Sequence, residues 1–196
     1  IIESFIDKIK KRENNYYLDT DKWLYQALDK YPIKDMNICI FGSTSPWYEL
    51  IALEYEAKSI TVSEYSDRVN WNNNISYKKP SELKEKKFDC LISISSFEHD
   101  GLGRYGDPIN PNGDIEAMKT AKKMINKDGM LFLSVPIGLD KIVYNLHRVY
   151  GLKRIELLLN EWEIIEQYGF NRYSFTNNIN GINGSPYQPI YVLRTK

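Results

Sequence analysis

Apolar side chains recur at helical spacing along the first dozen residues. Ile1, Ile2, Phe5, Ile6 and Ile9 form one stripe, with Asp7, Lys8, Lys10 and Lys11 opposite. That pattern predicts an amphipathic helix. A second short helix is predicted over residues 21–30, opened by Thr20 or Asp21 as its cap and closed before Pro32. From residue 37 the texture changes to short β-favouring apolar runs: NICIF at 37–41, SITVSE at 59–64, FDCLISI at 88–94 and MLFLSV at 130–135. Helical stretches are predicted between them over 46–57, near 81–87 and over 114–126, the last carrying Ile115, Met118, Ala121, Met124 and Ile125 on one face. Strands apolar on both faces, alternating with helices at this interval, indicate βαβ units and a parallel sheet. Toward the end, 153–159 reads as helix, 162–167 as strand, 171–185 as an Asn- and Gly-rich loop, and 189–194 (PIYVLR) as an antiparallel edge strand. The expected architecture is an α/β domain over 35–196 behind a helical extension over 1–34.

Composition narrows the partners. Among 196 residues, 26 Lys plus Arg balance 26 Asp plus Glu, so the basic surplus that usually drives nucleic-acid binding is missing. A small-molecule or glycan substrate is expected instead. No apolar run approaches the ~20 residues of a membrane span, and the charged first residues do not read as a signal peptide. Cys39 and Cys90 lie inside apolar strands and read as core thiols, which favours a reducing, cytoplasmic setting.

Candidate chemistry gathers where strands end, because open parallel sheets bind ligands beyond their carboxyl edge. The first such place is the turn Gly42-Ser43-Thr44-Ser45 after the first strand. Its glycine lets backbone approach a ligand, but one glycine is not the G-x-G-x-x-G fingerprint, and alone it reads equally as a plain turn. Glu64 closes the second strand about twenty residues on, where a carboxylate can accept hydrogen bonds from ribose hydroxyls. Turn and carboxylate together form a nucleoside-binding constellation, with Tyr65 beside it to flank an adenine ring. The third strand runs into Ser95-Ser96-Phe97-Glu98-His99-Asp100 and a loop dense in Gly, Pro, Asp and Asn that continues to Asp114. Loops of this length in compact domains are usually functional or disordered. A lone histidine is more often structural than catalytic. At this edge, between Glu98 and Asp100, His99 becomes a candidate base. Asp114 reads as a helix cap.

The segments GSTSPWYELIAL, TVSEY, SISSFEHDGLGRYGDPINPNGD, LFLSVPIG and NLHRVYG resemble the bacterial and nematode proteins grouped as domain-of-unknown-function family 268, a likeness covering about residues 37–196. That family looks like a divergent branch of the Rossmann-like class I methyltransferases. The resemblance implies a three-layer α/β/α fold with a mostly parallel sheet and an antiparallel C-terminal strand. It also implies S-adenosylmethionine as cofactor, with Gly42 and Ser43 at the glycine turn, Glu64 at the ribose position, and Ser95–His99 beside the transfer site. The usual run of glycines is reduced to one, which puts cofactor binding in question.

Together these readings cast His99 as general base with Glu98 or Asp100 orienting it. Gly42, Ser43, Glu64, Tyr65 and Ser95 fall on the cofactor side. Arg104, Tyr105, Asp107, His147 and Arg148 are the substrate grip. No metal is expected, although Glu98, His99, Asp100, Asp107 and Asp114 offer hard ligands for Mg²⁺ or Ca²⁺. The acceptor implied by surface-glycan associations of similar proteins is a sugar or sugar nucleotide in capsule or lipopolysaccharide synthesis, methylated on oxygen. A catalytically silent nucleotide-binding scaffold is the alternative, and a homodimer is left open.

Overall fold

The computed structural model describes residues 2–176 and 187–196. Among these, a seven-stranded sheet in the order β3-β2-β1-β4-β5-β9-β8 forms the middle layer. Its strands are β1 (Asn37–Phe41), β2 (Ser59–Ser63), β3 (Ile75–Lys78), β4 (Phe88–Ile94), β5 (Ile125–Ser134), β8 (Trp162–Tyr168) and β9 (Ile190–Thr195). β3 through β5 are parallel, whereas β9 runs antiparallel to both β5 and β8.

Side-chain alternation explains the layers. Ile38 and Ile40 of β1 point into one core, shared with α1 (Ile2–Lys10), α2 (Leu18–Lys30) and α3 (Trp47–Glu54). Cys39 points into the other, shared with α4 (Gly113–Met124) and α5 (Leu152–Leu158). Strands buried on both faces carry apolar residues on both, hence the unbroken runs at 38–41 and 90–92. The helices of the 1–34 extension pack into the first of these cores through Ile9, Leu24 and Leu28. Among the described residues no helix is long and apolar enough to cross a membrane.

The structure differs from the sequence reading at five places. β9 is not an edge strand: it lies between β5 and β8, which explains why Ile190, Tyr191, Val192 and Leu193 are all buried. Residues 81–87 do not form a helix. Pro80–Glu82 make one 3₁₀ turn, Glu82 accepts from the Lys79 N–H at 2.7 Å, and only Leu83 is buried, so nothing apolar propagates the turn. β3 was hidden behind the polar WNNN run. A hairpin of β6 (Lys141–Val143) and β7 (His147–Val149) also went unread, since three-residue strands carry too little periodicity. The Asn/Gly loop expected at 171–185 begins with a 3₁₀ turn at Arg172–Phe175, and its residues 177–185 lie outside the described residues.

The strand order reverses between β1 and β4. That switch point opens a crevice at the carboxyl ends of the strands, and it positions everything that follows.

Candidate functional site

A cavity of about 530 Å³ lies there, within the ~300–1,000 Å³ range of small-molecule sites. Gly42, Ser43, Glu64, Tyr65, Ser95, His99 and Asp100 all line it. One end is framed by main chain. Gly42 takes φ +67°, and a Cβ there would meet Ser96 Oγ at 2.8 Å, so glycine is required twice over. The Glu64 carboxylate faces the turn, accepting from the Ser43 N–H at 3.1 Å and from those of Tyr65 and Ser66 at 2.8 and 3.2 Å. Ser43 Oγ lies 2.7 Å from the carboxylate of Glu49, which is fully buried and pushed up by that burial. Arg68 donates to the carbonyls of Ser43 and Thr44. Ser45 Oγ, buried on the cavity wall, has no partner among the described residues. Between these groups and α4, Phe41, Phe97, Leu83 and Met124 give an apolar slot. The two phenylalanine rings tilt together at 4.9 Å.

The other end is built from side chains that the chain turns inward as it leaves β4. Ser95 takes φ +52°, a left-handed conformation that costs a non-glycine residue roughly 1–3 kcal/mol and concentrates at functional sites. The kink starts the 3₁₀ turn Phe97–His99. His99 Nδ1 lies 2.5 Å from the Leu146 carbonyl, which can only accept, so Nδ1 carries the proton and the Nε2 lone pair is left free. Burial, aided by Arg104 and Arg148, lowers the imidazole below its ordinary range and keeps it neutral. Glu98 is fully buried: burial pushes its carboxyl up to about 8, Ser95 Oγ donates to it at 2.5 Å, and its second oxygen has no partner. It is 3.7 Å from His99 Nε2. The Asp100 carboxylate accepts no hydrogen bond among the described residues, and burial followed by the charge of Asp107 pushes it up to about 7.

The structure redistributes the expected roles. The group that orients His99 is the Leu146 carbonyl on the β6–β7 hairpin. Neither Glu98, near the opposite nitrogen, nor Asp100, which does not touch the ring, does so. Arg148 is not a substrate grip. It is 2% exposed and donates to the carbonyls of Glu98, Asp100, Asn110 and Pro111, tying the long loop to β7. Arg104 is not on the cavity wall: it donates to the Asn145 carbonyl and lies 5.5 Å over the Tyr105 ring. His147 stands behind His99, ring to ring at 6.2 Å, and is not on the cavity wall. Tyr105 and Asp107 do line it. Burial works against the Asp107 charge, but main-chain N–H groups including those of Gly103, Tyr105 and Gly101 outweigh it and hold the carboxyl below its usual range. Asp114 is not the cap of α4, a place taken by Asn112. It is a buried acceptor for Tyr150 and Arg154. Asp107 and Asp114 are thus committed elsewhere, and among the described residues no three His, Cys, Asp or Glu side chains gather as a metal-binding group.

Several site residues escaped the sequence reading. Tyr16 and Tyr17, in the linker between α1 and α2, reach the cavity, and Tyr17 contacts Ser95. Asp21, fully buried, pins that linker by accepting from the Asn15 N–H at 2.8 Å and the Tyr48 hydroxyl at 3.2 Å. An acidic residue in an otherwise apolar helical face was the one available signal.

A doubly wound sheet with one antiparallel strand inserted next to its far edge, and a cavity at its switch point, defines the Rossmann-like fold of S-adenosylmethionine-dependent methyltransferases. Solved structures agree. A methyltransferase of that class from Mesorhizobium loti matches with TM-score 0.58 at 11% identity over 88% of this chain and 97% of that one. The N-methyltransferase NodS from Bradyrhizobium japonicum WM9 gives 0.59 at 13% over 89% and 92%. A ribosomal protein L11 methylase from Lactobacillus delbrueckii subsp. bulgaricus gives 0.57 at 17% over 91% and 79%. At these identities the likeness is one of fold. No curated protein matches the chain. Residues 35–181 match the family described as Caenorhabditis protein of unknown function, DUF268, and the chain belongs to that family.

Proposed function

We propose that this protein is an S-adenosylmethionine-dependent methyltransferase acting on a small polar acceptor. The observation that carries the reading is that a single cavity joins Gly42, Glu64 and His99. The walls suit the cofactor. Glu64 offers carboxylate oxygens to ribose hydroxyls, the slot between Phe41, Leu83 and Met124 suits a flat base, and the unpartnered Ser45 hydroxyl offers one more polar contact. Bound there, S-adenosylmethionine supplies a methyl group on a sulfonium sulfur, which keeps the bonding electron pair on departure.

The chain's own contribution is alignment, exclusion of water and one proton transfer. His99 presents a neutral Nε2 lone pair on the cavity wall, held in that tautomer by Leu146, and takes the proton of an acceptor hydroxyl or ammonium. Glu98, neutral at pH 7 and 3.7 Å from the same Nε2, adds no negative charge beside the proton that the ring takes. The finer reading is O-methylation of a sugar, as the resemblance implies. S-adenosylhomocysteine titrated calorimetrically, followed by transfer of labelled methyl groups to a sugar panel, tests both levels. Binding without any accepted sugar would retain the cofactor site and remove the glycan reading.

A further inference from the structure

The cavity's charges say what its acceptor carries. Among its described wall residues, Glu64, Asp100, Asp107 and Glu116 are acidic and Arg68 is the one lysine or arginine. Glu64 and Asp107 hold main-chain N–H groups and Glu116 lies 3.8 Å from Lys119, which leaves Asp100 as the unpartnered carboxylate. Arg68 is already committed to the Ser43 and Thr44 carbonyls at the cofactor end. The two arginines nearest the acceptor end face elsewhere: Arg148 binds four loop carbonyls and Arg104 binds the Asn145 carbonyl. His99 is held neutral by burial. Residues 177–186 contain no Lys, Arg or His, so that segment brings no cation of its own.

An anion seated at the Asp100 end would lose water and meet an unpartnered carboxylate in place of a cation, which is costly in a low-dielectric pocket. A cation meets the opposite situation, since a cleft lined by one sign of charge concentrates the other. The Asp100 carboxylate accepts no hydrogen bond within the described chain, and it lies on the wall five residues beyond the kink at Ser95. Tyr65, also on the wall, feels the charges of both Asp100 and Asp107, and an aromatic ring near a bound cation adds to its attraction.

Building on the methyltransferase reading, we propose that the acceptor binds as an ammonium-bearing molecule, its charge seated on Asp100 beside the Tyr65 ring. Phosphorylated, carboxylated and nucleotide-linked sugars are excluded by the same walls. An amino sugar satisfies both this requirement and the glycan reading. Asp100 becomes a specificity-determining residue instead of an orienter of His99.

Three pyranoses that differ mainly in charge test this: glucosamine, glucose and glucuronate, each titrated into protein saturated with S-adenosylhomocysteine. Failure of S-adenosylhomocysteine itself to bind would remove the cofactor reading and is read out first, in a separate titration. With the cofactor site filled, glucosamine is expected to bind about tenfold or more tightly than glucose, as a charge-assisted contact allows, with glucuronate weakest. In Asp100→Asn the preference for glucosamine over glucose should fall toward parity, with a melting curve confirming that the variant is folded. Equal or tighter binding of glucose or glucuronate to the wild type, or binding of none of the three, overturns the proposal. So does a folded Asp100→Asn protein that keeps the wild-type preference.

Discussion

At the β1–β2 end of the cavity the main chain is well partnered: the turn at Gly42 hangs on the Glu64 carboxylate, and the Arg68 guanidinium holds the Ser43 and Thr44 carbonyls, although the Ser45 hydroxyl has no partner among the described residues. At the β4 end the wall is side chains held out of their ordinary states. Ser95 sits at positive φ, Glu98 is neutral and half-partnered, Asp100 has no donor and His99 has a free nitrogen. The first arrangement is held by main-chain hydrogen bonds on both sides of the turn. The second leaves hydrogen-bonding capacity that the described chain itself does not meet. Cofactor binding and acceptor chemistry are therefore separable by mutation.

The largest expected effect lies at the side-chain end. His99→Ala should slow methyl transfer about 10²–10⁴-fold, the usual worth of a general base. Steady-state rates with labelled cofactor measure it, and wild-type turnover in the variant would remove the base from the account. Next comes the brace behind that end. Arg148→Ala strips the donor from four loop carbonyls and one partner from Asp114, and should cost roughly 3–5 kcal/mol in denaturant unfolding. A loss within the scatter of ordinary surface substitutions would mean the loop is held by something else.

At the main-chain end, Gly42→Ala forces an alanine into left-handed φ against Ser96. It should destabilise the fold by about 1–2 kcal/mol and weaken S-adenosylhomocysteine binding. Unchanged affinity would show that the turn does not touch the cofactor. The smallest effect is one of pH. The folded Glu98 carboxyl, at about 8, lies above its ordinary 4.5, so the folded state prefers the proton. Its contribution is complete below about pH 4.5 and declines as pH rises toward about 8. Glu98→Gln keeps a neutral group there, so its melting temperature relative to wild type should rise between about pH 5 and pH 8. Parallel pH profiles would mean Glu98 is already ionised in the fold.

The same contrast governs what the sequence could reveal. Gly42 and Glu64 were legible because their meaning is local: each ends a strand of recognisable pattern, and strand ends at a switch point bind ligands. His99 was legible by position, though not its tautomer, since Leu146 is remote in sequence and on a hairpin too short to read. Arg148 was misread because nothing local distinguishes a guanidinium that grips substrate from one that gathers carbonyls up to fifty residues away. Asp21 was read as a helix cap and Glu49 drew no reading, yet both are fully buried around partners from other elements. Chain direction and alternation write the fold; the protonation and pairing of buried polar groups are properties of the assembled interior.

The most direct test is calorimetric titration of S-adenosylhomocysteine into the wild type and into Glu64→Gln. The account predicts saturable one-site binding to the wild type, weakened about tenfold or more when the charged acceptor becomes an amide. A wild type that does not bind, or a Glu64→Gln protein that binds just as well, would contradict it.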